Sequence, residues 1–196
     1  MVDLPAVTSE DDGGDTALRE RLEAFIDRPV GSGSGVSVAP DPVNQPMIRH
    51  WAAAFEDDNP IYTDPEAAAA SRHGQIVAPP LMLQTWTMAT PLIRGIGERG
   101  GSPVESEGDG GVLAVLDAAG YTATLASNSE FEIDRYLHLD EVVTATTVVD
   151  TISDEKQTRL GPGFFLTWVT DYHDAAGERV GRQHFRILKF KPGGGA

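Results

Sequence analysis

The order of periodicities predicts an α+β domain: helical repeats come first, and alternating runs suited to antiparallel strands follow. The change of period falls beyond Gly97–Gly111, "GERGGSPVESEGDGG", whose Gly, Ser and acidic content is that of a mobile loop. A turn signal, "DAAGE" at Asp174–Glu178, then separates the last two alternating runs. The chain contains no internal repeat.

Residues 1–15 are acidic and aperiodic, the composition of a disordered tail. In Thr16–Arg28 a helix is predicted, capped by Thr16, with Leu18, Leu22, Phe25 and Ile26 on one face. "GSGSG" at Gly31–Gly35 reads as a flexible linker, so residues 16–35 form an N-terminal helix and joint ahead of a domain spanning 36–192. In "DPVNQPMIRHWAAAFEDDNP" Asn44 can cap a second helix, Pro46 suits its first turn, and Met47, Trp51, Ala54 and Phe55 share a face. Pro60 forbids continuation. Asp64 and Pro65 then open a short helix, "EAAAASR". An extended "GQIVAPP" leads to Pro80, which opens an apolar third helix, "LMLQTWTMATPLIRGIG", that Pro91 should end or kink. Strands are predicted near Tyr121–Ser127, Glu130–Tyr136, Val142–Ile152, Phe164–Tyr172 and Glu178–Phe190. Residues 193–196, "GGGA", look like the remnant of a linker to a further domain.

At 196 residues, 40% hydrophobic and 23% charged, the chain has the makings of one soluble domain with tails. A formal charge of −15 repels nucleic-acid phosphates, and no apolar run approaches the ~20 residues of a membrane span, so neither nucleic acid nor membrane is an expected partner. Cysteine is absent, and the first residues are acidic without a basic-then-apolar pattern; both fit a cytoplasmic protein. The five histidines form no His-x-His or His-x-x-x-His pair, so no metal site is expected.

"DDNPIY" at Asp57–Tyr62, followed by a small helix and then "GQIVAPP", resembles the MaoC-like hydratases and dehydratases. Those proteins have a hot-dog fold, a long helix wrapped in an antiparallel sheet, and act on acyl thioesters. Their motif runs Gly-Asp-x-Asn-Pro-aliphatic-His. Here Glu56 stands for the glycine, Asp57, Asn59, Pro60 and Ile61 match, and Tyr62 replaces the histidine. "DPVNQPMIRHWAAAFEDDNPIY", "VAPPLMLQTWTM", "DAAGY" and "RILKFKP" together resemble the MaoC domain in the larger subunit of bacterial steroid side-chain enoyl-CoA hydratases. That resemblance implies a small MaoC-like catalytic subunit as partner, in a heterodimer or heterotetramer. It also implies a CoA thioester as substrate with no separate cofactor, and a C-terminal extension able to dock a thiolase or aldolase.

Hydration of a 2-enoyl thioester needs a base for water, an acid for Cα and donors for the enolate oxygen. A phenol with a reference pKa of about 10 is a poor base at neutral pH, where imidazole is well matched. In the resembling hydratases, a backbone N–H at the start of the central helix supplies the oxyanion donor. The matching residues here, Ala78-Pro79-Pro80-Leu81, put two prolines where an N–H is wanted, and one lost donor typically costs about 3 kcal/mol of barrier. Asp57, Asn59 and Tyr62 are thus the catalytic candidates of a degenerate half-site.

His73, Val77, Pro79, Met82 and Trp86 are the candidates for substrate contact, although Met82 and Trp86 equally suit a plain core. Tyr62, likewise, could be a core aromatic. Pro91 and the glycine-rich loop shorten the central helix, leaving room for steroid rings. On the last strand Arg182 and Arg186 share a face and Lys189 lies on the other; they could meet CoA phosphates or merely neutralise an acidic surface. Three functions follow: a substrate-shaping subunit of a heteromeric hydratase, a self-sufficient homodimeric dehydratase, or a non-catalytic scaffold for a thiolase or aldolase.

Overall fold

The computed structural model describes residues 12–30, 35–88, 91, 93–95 and 111–192. The tail to residue 11, the Gly31–Ser34 part of the expected linker, most of the Gly97–Gly111 loop and residues 193–196 lie outside them. Six strands form one antiparallel sheet: β1 (Val36–Val38), β2 (Ala123–Ile133), β3 (Thr144–Ile152), β4 (Lys156–Thr158), β5 (Gly161–His173) and β6 (Arg179–Phe190). Their order is β1-β3-β5-β6-β2, with β4 folded back on β5. The helices are α1 (Asp12–Glu23), α2 (Gln45–Phe55), α3 (Pro65–Ala70), α4 (Leu83–Trp86) and α5 (Val112–Ala118).

One sheet face carries the core. Val149, Ile152, Phe164, Leu166 and Ile187 pack under α1 and α5, while Ala145, Tyr172 and Val180 pack with α2, α3 and α4. Between these halves lie Trp168 and Phe185, whose rings stack at 6.0 Å, and Thr147 hydrogen-bonded to Thr170 at 2.9 Å. Helix α1 is therefore part of this domain rather than a separate unit: Leu22 is fully buried, and Asp27 N–H donates to the Val149 carbonyl at 2.8 Å. It begins at Asp12, four residues ahead of Thr16 and inside the segment expected to be disordered.

Capping signals placed α2 and α3 accurately. The Asn44 side chain accepts from Met47 N–H, and Asp64 accepts from Glu66 and Ala67. The expected apolar face of α2 is corrected, however. Ile48 and Ala52 are buried, whereas Met47 is 42% and Phe55 67% exposed, and Ala54 also faces out. Trp51 and Phe55 pack on one another instead, with ring centroids 4.3 Å apart. Both sets of residues have helical spacing, so period alone does not choose between them.

The third helix is much shorter than expected. A 3-10 turn, Pro80–Met82, runs into α4, which ends at Trp86 with Thr87 as its cap. Pro91 is not what stops it: Thr85-Trp86-Thr87 is a run of weak helix formers. The two strands expected at Tyr121–Ser127 and Glu130–Tyr136 are one, β2, with a bulge at Ser127 where the register passes from Ala126↔Ile187 to Asn128↔Arg186. Ser127 Oγ donates to the Arg186 carbonyl at 3.0 Å, so the polar "SNS" run is bulge chemistry rather than a turn.

Gly181 seats α4 on the sheet. A Cβ there would lie 2.7 Å from the Glu132 carbonyl oxygen and 2.8 Å from a Leu83 methyl, so the helix start approaches only because glycine is present. Gly181→Ala should destabilise by about 1–3 kcal/mol as Leu83 is pushed off. Gly177→Ala, which meets nothing within 4 Å but has φ +82°, isolates the backbone cost, and urea midpoints of the two variants compare them.

Candidate functional site

The 57–62 loop is set by its own side chains. Glu56 closes α2 in the left-handed region, φ 53°, which reverses the chain and lets Asp57 N–H reach back to the Ala52 carbonyl at 2.9 Å. Asp57 Oδ1 accepts from Asn59 N–H at 3.1 Å, and Asn59 Oδ1 accepts from Ile61 N–H at 3.3 Å, fixing the 3-10 turn Pro60–Tyr62. Tyr62 turns into the core, 6% exposed, while its carbonyl accepts from Gln45 Nε2 at 2.9 Å. Burial raises its phenol pKa above the ordinary value, and Tyr136 and Asp57 raise it further against a lowering hydrogen bond with Asn59. At neutral pH Tyr62 is therefore a neutral phenol, able to donate or accept one hydrogen bond but not to act as a base.

The structure brings Asp57, Asn59 and Tyr62 together and adds Tyr136. Val77, Met82 and Trp86 are buried in the same core cluster as Tyr62, with Pro79 beside them. His73 stands across from them, its ring stacked on Tyr136 at 4.8 Å. The helix start has few donors. Ala78 N–H is taken by the Leu137 carbonyl at 2.8 Å, Met82 N–H by the Pro79 carbonyl at 3.0 Å, and Pro79 and Pro80 have none. Leu81 is the one remaining N–H of that stretch.

The three β6 cations expected to meet CoA are divided. Arg182 makes a two-pronged pair with Asp171, Nε to Oδ1 at 2.7 Å and Nη2 to Oδ2 at 2.8 Å. Arg186, on the same outer face, bonds Thr167 at 3.2 Å and lies over the Phe165 ring. Lys189 points to the opposite face, 5% exposed, its ammonium 2.7 Å from Asp117 and 3.1 Å from Thr124 Oγ1. The alternation expected along this strand holds, and two of these three cations already have carboxylate partners, as does Arg179 at its start. Sequence reasoning missed Tyr136 and its neighbour Arg135, whose guanidinium joins Glu141 at 2.9 Å to Asp174 at 2.7 Å; both fall at the end of an expected strand that in fact stops at Ile133, and nothing in the sequence marks them as site residues. Among the described residues, no group of three His, Cys, Asp or Glu could hold a metal, and no helix is long and apolar enough to cross a membrane.

Residues 30–183 match the family model described as the FAS1-like dehydratase domain region. The chain belongs to the FAS1-like, MaoC-like dehydratase family. It is 40% identical over 173 residues, 88% of its length, to a probable enoyl-CoA hydratase alpha subunit of Thermomonospora curvata. It is 38% identical over 179 residues, 91% of its length, to the 3-oxo-4,17-pregnadiene-20-carboxyl-CoA hydratase alpha subunit of Mycobacterium tuberculosis. The chain spans about half the length of these relatives, 52% and 55%. A solved ChsH1–ChsH2 complex from Mycobacterium tuberculosis contains a chain similar at TM-score 0.76 and 36% identity, with 92% of this chain and 94% of that one covered. A MaoC-like dehydratase at TM-score 0.56 and 21% identity, covering 87% of this chain and 43% of its own, shares the fold alone. That fold is the hot-dog fold, with its central helix cut short here at Trp86.

The family motif explains the strain at Glu56, which occupies the position of the motif's glycine in a left-handed conformation. Glu56→Gly should stabilise the native state by about 1 kcal/mol, read as a higher urea midpoint at unchanged slope. Acid should act through the arginine pairs. Asp171, Asp174 and Asp134 are held below the usual carboxylate range, chiefly by hydrogen bonds from Arg182, Arg135 and Arg179 respectively. Depressed native values mean that this stability is complete above the unfolded pKa of about 3.9 and disappears as pH falls through the lower native values. The urea midpoint should be flat near neutrality and drop below about pH 4. Arg182→Gln should lower the neutral plateau and shallow that drop.

Proposed function

We propose that this chain is the MaoC-domain part of the alpha subunit of a heteromeric enoyl-CoA hydratase that adds water to the 2-enoyl-CoA of a steroid side chain. It shapes the acyl site while a smaller MaoC-like partner supplies the Asp/His pair. The observation that carries this reading is the buried, neutral Tyr62 in the histidine position, beside a helix start that offers two prolines. Water attack at Cβ requires a group that accepts the water proton, and protonation at Cα requires one that returns it. Asp57 can orient water, but Tyr62 cannot exchange protons near neutral pH. The names of the alpha-subunit relatives and of the solved complex support a second polypeptide and a CoA thioester.

The free edge of the sheet supports this reading. Strand β2 ends the sheet order, and among the described residues its outer edge pairs with nothing over 11 residues, with Leu125 about half exposed. A partner's edge strand added there would continue the sheet, the usual route by which exposed edges are covered. Arg186 on the adjacent β6 stays available to a phosphate in that arrangement, whereas Arg182 and Lys189 would first have to leave their carboxylates. The expected docking of a thiolase or aldolase concerns chain beyond Pro192, outside the described residues.

The test is hydration of a steroid side-chain enoyl-CoA by the chain alone and after mixing with the small MaoC-like subunit. The chain alone should be slower than the mixture by at least about 1,000-fold, the size expected when an acid–base pair is missing. Comparable rates with and without partner would contradict the proposal and favour a self-sufficient homodimer. Inactivity of the mixture towards every enoyl-CoA, with a thiolase or aldolase retained on the chain, would favour the scaffold.

A further inference from the structure

An open cleft of about 470 Å³ is lined by Arg72, His73, Ile133, Asp134, Arg135, Tyr136 and His138. Its charges are unequally satisfied. Asp134 is held by Arg179 at 2.7 Å, and Arg135 by Glu141 and Asp174. The His138 imidazole lies 3.6 Å from Glu141. Arg72 makes no ion pair among the described residues; its Nε donates to His73 Nε2 at 3.3 Å, and its guanidinium carbon sits 6.0 Å from the centre of the Tyr136 ring. His73 stacks on that same ring at an interplanar angle of 19°. Burial, then Arg72 and His138, hold its pKa below the ordinary value. Of the two arginines in the lining, Arg72 is the one without a carboxylate partner among the described residues.

We propose that the Arg72–His73–Tyr136 cleft binds the phosphorylated adenosine end of the CoA thioester. Resting on the enoyl-CoA reading above, it moves the CoA site from the β6 cations to a cleft that sequence reasoning did not identify. A flat, exposed guanidinium beside two stacked rings is the combination that takes a phosphate and a purine together: the arginine forks onto phosphate oxygens, and the rings extend a stack to the base. In a chain of charge −15, an unpaired cation standing in a concave aromatic surface is where an anionic ligand would collect. Tyr136 faces this cleft and also raises the pKa of Tyr62, so one ring borders both the nucleotide site and the motif loop. The alternative anchors on β6 are less suited: Lys189 is buried against Asp117, Arg182 is forked onto Asp171, and Arg186, though without a carboxylate partner, shares its cleft with Glu130, Glu132 and Asp150.

The experiment is calorimetric titration of free CoA and of 3′-dephospho-CoA into the full natural chain, purified with whatever subunit accompanies it. It compares the unaltered protein with Arg72→Gln, Tyr136→Leu and Arg186→Gln. Arg72 is exposed, so its replacement should leave the fold intact, and circular dichroism verifies this. Arg72→Gln should weaken CoA binding by about tenfold, the scale of one charge-assisted contact, while Arg186→Gln stays within about twofold. Tyr136→Leu should weaken CoA and its dephospho form equally, since it removes stacking rather than charge. CoA affinity unchanged in Arg72→Gln, or lost only in Arg186→Gln, would overturn this site and leave the hydratase reading standing. Failure of the unaltered protein to bind CoA at all would overturn both.

Discussion

The hydrogen bond from Ala78 N–H to the Leu137 carbonyl, together with the bridge between Val77 and His138, is the constraint from which the site follows. It stitches the extended approach "GQIVAPP" to the segment leaving β2, so the two prolines and α4 start at one fixed place above the sheet. Once the segment is held there, Met82 and Trp86 must enter the core that contains Tyr62, and Leu83 must rest on Gly181. The same bond uses up the last amide before the prolines. With Pro79 and Pro80 lacking N–H groups, this anchoring leaves Leu81 as the one amide of the stretch for an enolate oxygen.

Electrostatics follows a similar logic. With twice as many acidic as basic residues, the chain directs the arginines around the β5–β6 hairpin into carboxylate pairs: Arg135 with Glu141 and Asp174, Arg179 with Asp134, Arg182 with Asp171. Such half-exposed pairs contribute modestly to stability, but they tie the 134–141 segment to the β5–β6 hairpin. They also leave Arg72 as the lining arginine of the Tyr136 cleft without a carboxylate partner among the described residues. On one strand, Arg182, Arg186 and Lys189 look alike as letters and differ entirely in what they can still bind.

Fold class and most element positions were legible from the chain, because capping and alternation act locally. Asn44, Asp64 and Pro65 sit at helix starts where their side chains, or a missing N–H, decide the matter. The long alternating runs of β5 and β6 could hardly be anything but strands. Illegible features depend on distant partners. The buried face of α2 is set by what the sheet offers Ile48 and Ala52, and strands β1 and β4, at three residues each, exist only because β3 and β5 pair with them. Helix α5 is too short, at seven residues, for its period to be recognised. The loop motif was visible because Asp57 and Asn59 bond within their own turn. Tyr136 was not, because its importance arises from Tyr62 and His73 converging on it from remote parts of the chain.

The proposed hydratase subunit depends on one point: its motif loop would serve shape, with proton transfer supplied by the partner. The most direct measurement is kcat of the assembled hydratase carrying Asp57→Asn, which preserves the turn acceptor while removing the charge. Turnover within about threefold of the unaltered assembly is what the account predicts, since an interaction absent from the transition state costs little when removed. A fall of about 100-fold or more, the loss expected for a general acid or base, would contradict it and make this loop the working half of the site.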